Sequence, residues 1–445
     1  MKKRILCMLM VMAMVFIMVA ACTAEVPAVE EPTPTPEAEP TPTPEEPVEV
    51  EDPEDGEEPG EAEEPLVEEP LDIESFPGRI AIITNEISQN EEEFRSAEAL
   101  VIRYGEDKVV HRVWPAMFTQ EPEMMISILQ ELAADPEIGA VIINQAVVGT
   151  NAAIDAFLQM RDDEVFFAVA SPAEDPADTS LRAHLLLDQN NPERGATIVS
   201  QAAAMGAETI AHVSFPRHMG VALLALRRDN MRDAAERYGI DFVELVAPDP
   251  TADGGVAATQ LHITQDIPRQ IEELGENTVF FATNCAMMVP LITQVVAGGA
   301  MFVEPCCPSP YHGYPTALGL EAFLPTGEYD DDGEAIMEMV DLPTLIDLTS
   351  AAVAEAGMTG RVAGWALPNS MAMTKMGFYY AVEWLNGNVP QEHGAAVDMS
   401  VLARAIEEYG ADLGMPGIGV QLAPLVLDGH EFSHFILGIV DSLVY

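Results

Sequence analysis

Cysteine is scarce in this chain. There are five in 445 residues, and two of them, Cys7 and Cys22, fall within the first 22 positions. Cys285, Cys306 and Cys307 are left for the rest, which excludes the disulfide framework that small exported domains use in place of a large core. Positive charge is scarce as well: 20 Lys and Arg stand against 74 Asp and Glu. That balance excludes nucleic acid as a partner, because its affinity depends on neutralising phosphates with Lys and Arg. Several signatures of nucleophilic or phosphate-cradling chemistry are missing, with no GxSxG, GxxxxGK[ST] or GxGxxG, so these motifs point to no catalytic residue. The body also lacks an unbroken apolar run long enough to span a bilayer. Residues 280–303 come nearest, but Asn284, Gln294, Gly298 and Gly299 punctuate them, and strand–helix–strand is the better reading.

The N-terminus carries what the body lacks. Lys2, Lys3 and Arg4 precede a short apolar stretch, Leu6 to Val19, the layout of an export signal rather than of an anchor of roughly 20 residues. Its end, Val19-Ala20-Ala21-Cys22, resembles the bacterial lipobox. That resemblance implies a signal peptide over residues 1–21 and a lipid on Cys22; a plain signal with an incidental cysteine is the alternative. Residues 22–75 are rich in Pro, Glu and Thr, with 21 acidic residues and no Lys, Arg or His. Nothing there can fill a core, proline stiffens the segment and like charges extend it, so a disordered tether is expected. About 370 residues remain, enough for two lobes with cores of their own. Their acidic excess reads as a solvated surface or as an attractive potential for cationic ligands.

The body alternates strand and helix. Ile80–Ile83 is a short β-branched run behind Gly78, followed by the polar loop Thr84–Asn90 and a helix that Asn90 can cap, with Glu91, Glu92 and Glu93 in its positive first turn. Further strands are expected at 108–114, 140–145, 165–170 and 184–188. After a polar crossing at 188–195, a second series follows at 209–215, 242–246, 279–283 and 301–304. Such alternation predicts parallel sheets with helices on both faces. The expected organisation is an N-terminal lobe over 76–190, a C-terminal lobe over 191–319, and segments over 320–445 that return to both.

Two tandem Rossmann-like α/β lobes behind an export signal resemble the type I periplasmic (solute) binding proteins. The stretches SQNEEEFR (Ser88–Arg95), DQNNPERG (Asp188–Gly195), SFPRHM (Ser214–Met219) and AGWALPNSMAM (Ala363–Met373) are similar to those of a poorly characterised family of bacterial lipoproteins with this fold. The resemblance implies a ligand cleft between the lobes and coupling to an ABC-type permease or a membrane receptor. LacI-type repressor cores share the fold, but no helix-turn-helix precedes this body.

In doubly wound sheets, ligands sit at the carboxyl ends of the strands. The strand assignments therefore nominate Asn85, Ser88, Gln89, Asn90, Gln145, Ser171 and Asp188 from the first lobe. From the second they nominate Arg217, His218, Asn284 and Glu304. Each is equally readable as a helix cap or a satisfied turn. Arg217 can clamp a carboxylate or form a salt bridge across the lobes. Cys285, Cys306, Cys307 and His312 suggest a soft metal site, but adjacent cysteines point apart on a strand and no CxxC supports them, so buried thiols are expected, with a Cys285 disulfide to one of the pair as the alternative. Asp330-Asp331-Asp332-Gly333 fails as a calcium loop, since its twelfth position falls on Met339 rather than Glu. His430 and His434 have helical spacing but no evident third ligand.

The function that follows is a lipid-anchored extracytoplasmic protein that binds a small polar solute between hinged lobes, for import or sensing, without a cofactor. Two alternatives from other classes are an envelope enzyme using Asp188 and Glu304 as acid and base, and a ligand-gated sensor or structural surface lipoprotein.

Overall fold

A computed structural model describes residues 75–329 and 335–445. The expected signal peptide, Cys22, nearly all of the tether and the Asp-rich turn lie outside the described residues. The described residues belong to one compact unit.

The first lobe opens with β1 (Arg79–Thr84), α1 (Glu91–Tyr104), β2 (Val109–Val113), α2 (Pro122–Ala133), β3 (Ile138–Ile143), α3 (Thr150–Leu158), β4 (Phe166–Ala170), the short α4 (Pro176–Ser180) and β5 (Leu185–Gln189). The second series is α5 (Asn191–Ala204), β6 (Thr209–Ser214), α6 (Pro216–Met219), α7 (Ala222–Tyr238), β7 (Asp241–Val246), α8 (Gly255–Leu274), β8 (Thr278–Ala282), α9 (Met288–Gly298) and α10 (Tyr314–Leu318). A third stretch adds β9 (Phe323–Tyr329), β10 (Ala335–Met339), α11 (Leu342–Glu355), β11 (Ala363–Trp365), α12 (Asn369–Leu385), α13 (Met399–Asp412), β12 (Gln421–Leu427), β13 (His430–Ile439) and β14 (Ser442–Val444).

The first sheet has seven strands in the order β12-β13-β5-β4-β3-β1-β2. The pleat sends successive side chains to opposite faces, and β1 shows why both faces must be covered. Ile80 and Ile82 join a core with Leu100, Phe378 and Leu402 of α1, α12 and α13, whereas Ala81 and Ile83 join Leu129 and Ile154 of α2 and α3. The second sheet runs β7-β6-β8 and continues through parallel bridges Val279–Met301 and Phe302–Val362 toward the antiparallel pair β11–β14. Its faces are likewise divided, with Val213, Phe280 and Leu291 on one side and Ile210, Phe281 and Met231 on the other. The strand expected at 301–304 shrinks to these bridges, ahead of Pro305, which has no amide to donate to a ladder. Among the described residues no helix is long and apolar enough to cross a membrane.

Candidate functional site

The carboxyl ends of both sets of parallel strands meet around a cavity of about 100 Å³. Asn85, Gln89, Gln145, Ser171 and Asp188 line it from the first lobe. Arg217, His218 and Asn284 line it from the second. Ser88, Asn90 and Glu304 do not. The Ser88 hydroxyl turns back to Glu86. Asn90 is consumed as the cap of α1, its Oδ1 accepting from the Glu93 amide. Glu304 lies behind the cavity wall, 1% exposed, in a buried ion pair with Arg194 at 2.6 Å. An acid–base couple of Asp188 and Glu304 across the cleft is therefore not formed, because the Arg194 guanidinium, which also donates to the carbonyls of Pro305 and Cys306, holds the second carboxylate.

Backbone strain marks the same place. Gln145 and Ser171, which follow β3 and β4, have φ of 54° and 48°, a region that costs any residue with a side chain. Each is held there by the next strand: Ala146 N donates to Ala170 O at 2.8 Å and Ser171 N to Leu187 O at 2.8 Å. The outcome is a side chain turned from the strand direction into the cavity. The Ser171 hydroxyl donates to Asp188 Oδ1 at 3.1 Å, and the Gln145 amide reaches across to Cys307 Sγ at 3.2 Å.

Charge is distributed differently from the sequence expectation. Both cationic candidates are neutralised in place. Arg217 forms a fork–fork pair with Asp249 of its own lobe, at 2.7 and 2.9 Å, while its guanidinium lies over the Phe118 ring of the first lobe. Burial opposes ionisation of Asp249, yet the hydrogen bonds from Arg217 hold its carboxyl down at about 2. Burial, reinforced by Arg217, pulls His218 down to about 3, so its ring is neutral at physiological pH and its Nδ1 shares a hydrogen bond with Thr283.

Among the cavity-lining residues, the cation with donors to spare is Arg227, in the middle of α7. It is 0% exposed. Nη1 donates to Asn191 Oδ1 at 2.6 Å and the guanidinium covers the Phe281 ring at 4.8 Å, but Nε and Nη2 have no partner. Desolvation, with Arg194 nearby, pulls it down to about 9, still protonated at neutral pH. Strand-end reasoning misses it because it sits on a helix. A signal was present, since Leu223, Arg227 and Met231 recur four apart and all three are buried: an arginine in an apolar stripe. Asn191 links this guanidinium to the first lobe, donating through Nδ2 to Asp188 Oδ2 at 2.9 Å. Two further atoms of cavity-lining residues lack partners, Gln89 Nε2 and Gln189 Oε1.

The three body cysteines are free thiols, so the disulfide is not formed. Cys306 and Cys307 both approach Cys285, at 3.4 and 3.6 Å between sulfurs. The strand argument that would separate them fails, because they occupy a loop. His430 and His434, with Glu431 between them, spell HExxH, a motif whose metal chemistry needs a helix. They lie on strand β13, where four residues span roughly 13 Å. His434 is buried against the Ser180 carbonyl.

A family model described as "Protein of unknown function (DUF3798)" matches residues 79–363. An uncharacterized protein of Treponema pallidum (strain Nichols) is 34% identical over 174 residues, which is 39% of this chain and 79% of that protein. A protein of Clostridium difficile 630 proposed to be a transcriptional regulator has a solved structure that aligns with a TM-score of 0.60 and 21% identity over 83% of this chain and 100% of its own. The substrate-binding protein of a sugar ABC transport system from Bordetella parapertussis 12822 aligns with a TM-score of 0.46 and 10% identity, over 83% of this chain and 89% of its own. The architecture, two α/β lobes built on parallel strands, is a fold shared with the Clostridium difficile structure.

Proposed function

This chain belongs to the family of proteins of unknown function DUF3798, and we propose that it is an exported, lipid-anchored solute-binding protein whose two lobes enclose a small polar solute bearing an anionic group. Arg227 carries this reading: a buried guanidinium with two unpaired N–H groups, on a residue that lines the cavity, is a costly arrangement unless an acceptor completes it. A carboxylate or phosphate matches that fork bidentately. Gln89 Nε2 adds a donor, whereas Gln189 Oε1 and Asp188 offer acceptors for hydroxyl or ammonium groups on the same solute. The cavity's size favours a small solute over an oligomer. Cys22, outside the described residues, would supply the anchor, and the closed lobes would be presented to an ABC-type permease or a membrane receptor. A solute-binding system for sugars is what one aligned structure is named for; the two unpaired N–H groups of Arg227 shift the expectation here toward acidic or phosphorylated small molecules.

Calorimetric titration of the full chain with a panel of small carboxylates, phosphate esters and neutral sugars tests it. One anionic class is expected to bind without turnover. Arg227→Met should weaken that binding by roughly 10- to 150-fold, the worth of a hydrogen bond to a charged group, and Arg227→Lys should restore only part. Preferential binding of a neutral sugar with unchanged affinity in Arg227→Met would refute the anionic assignment.

A further inference from the structure

Beside the guanidinium, the cavity wall carries a group of side chains that solute binding does not use. Cys285 opens the 3₁₀ turn after β8, and Cys306, Cys307 and His312 lie on the loop beyond Met301. The bridge between Val279 and Met301 brings the two segments side by side. Cys306 Sγ lies 3.4 Å from Cys285 Sγ and 3.8 Å from His312 Nε2, and the donor atoms of Cys285, Cys306 and His312 all fall within 4.8 Å of one another. Cys306 and His312 are 3% and 6% exposed.

We propose that Cys285, Cys306 and His312 are ligands of one thiophilic d¹⁰ metal ion, zinc(II) by class, at the wall of the cleft. Two of the three separations, Cys285–Cys306 and Cys306–His312, are close to a tetrahedron's edges. With metal–sulfur bonds of about 2.3 Å and metal–nitrogen bonds of about 2.0–2.1 Å, adjacent corners are about 3.8 Å apart for two sulfurs and about 3.6 Å for sulfur and nitrogen. A disulfide needs sulfurs at about 2.05 Å, and it would leave the third thiol and the imidazole without a role. Cys307, 3.6 Å from Cys285, is the donor placed for the fourth corner. Its thiol also faces the cavity, where Gln145 Nε2 reaches it at 3.2 Å. Soft thiolates with one imidazole select zinc(II) over hard cations. Metal-bound imidazoles are habitually oriented by a carboxylate, and one is close by. Glu92, fully buried with Oε1 lacking a partner, interacts electrostatically with His312, and its other oxygen accepts from Ser309 on the same loop.

The test uses the full chain, purified with a reductant, stripped with a chelator and titrated with cobalt(II). One equivalent should bind with sulfur-to-cobalt charge transfer and the intense visible bands of a tetrahedral site, and zinc(II) should displace it. Cys285→Ser, Cys306→Ser and His312→Gln should each lose those bands, whereas Arg227→Met should keep them, which separates this site from the anion site. Should a cysteine variant fail to fold, differential alkylation of the unaltered chain gives the answer instead, with zinc(II) slowing modification of Cys285 and Cys306. Absence of a stoichiometric sulfur-bound cobalt spectrum, persistence of the spectrum in Cys285→Ser and Cys306→Ser, equal alkylation with and without zinc(II), or a Cys285–Cys306 disulfide in protein taken from its host envelope would each overturn the proposal.

Discussion

Asp188 accepts hydrogen bonds from Ser171, the Gln189 amide and Asn191, and still burial pushes its carboxyl up to about 7 from 3.8. These bonds and Arg194 offset only part of the desolvation. A carboxyl whose folded-state value is raised holds its proton in the folded chain after the unfolded chain has lost it. Folding then binds protons between about pH 4 and 7, and the stability owed to Asp188 falls as pH rises through that window and levels off above it. Asp188→Asn removes the titration. The stability difference between wild type and Asp188→Asn, followed by urea denaturation, should therefore shift steadily against wild type from pH 4 to pH 7. A difference that does not vary with pH would show that the carboxyl stays ionised throughout. At this scale the sequence could nominate polar residues at strand ends, and most of those nominated do face the cavity. It could not say which cations are already paired. Arg217 is taken by Asp249, 32 residues away in sequence, and nothing local announces that partnership.

Helix α5 decides where Arg227 stands. Gly195 of α5 faces α7 so closely that an added Cβ would lie 2.6 Å from the Arg227 carbonyl oxygen and 2.6 Å from Asn230 Cβ. Backbone cannot yield cheaply at such a contact. Gly195→Ala should push the two helices apart, cost about 1–3 kcal/mol of stability and displace the guanidinium, which a urea midpoint and a solute titration together would register. Unchanged values for both would mean that α7 is placed by its other contacts. The order of strands and helices was legible because buried parallel strands read as β-branched runs and helices as periodic stripes, and the assigned boundaries of β1 through β8 fall close to those found. What lay out of reach was loop conformation. A strand reading of Cys306 and Cys307 makes their side chains alternate, whereas Pro305 and Pro308 flank them and the chain there is irregular. The thiols could then converge on Cys285.

Across the whole molecule, the described lobes touch at the mouth of the cavity as well as around it. Thr119 and Gln120 of the first lobe donate to the Thr251 carbonyl of the second, at 3.3 and 2.9 Å, and Arg217 rests on Phe118. These contacts follow from long-range topology, and no pattern within the sequence joins residue 118 to residue 217. They bridge the lobes beside a cavity whose lining residues include unpaired donors, an arrangement that would hold a captured solute through purification. The central claim, that a small anionic solute completes Arg227, is tested most directly by native mass spectrometry of the full chain expressed in its own host and purified without denaturation. One adduct of small-molecule mass per chain is expected, released on unfolding, anionic when identified, and missing from Arg227→Met. A bare chain mass for wild type, or the same adduct in equal amount on Arg227→Met, would contradict it.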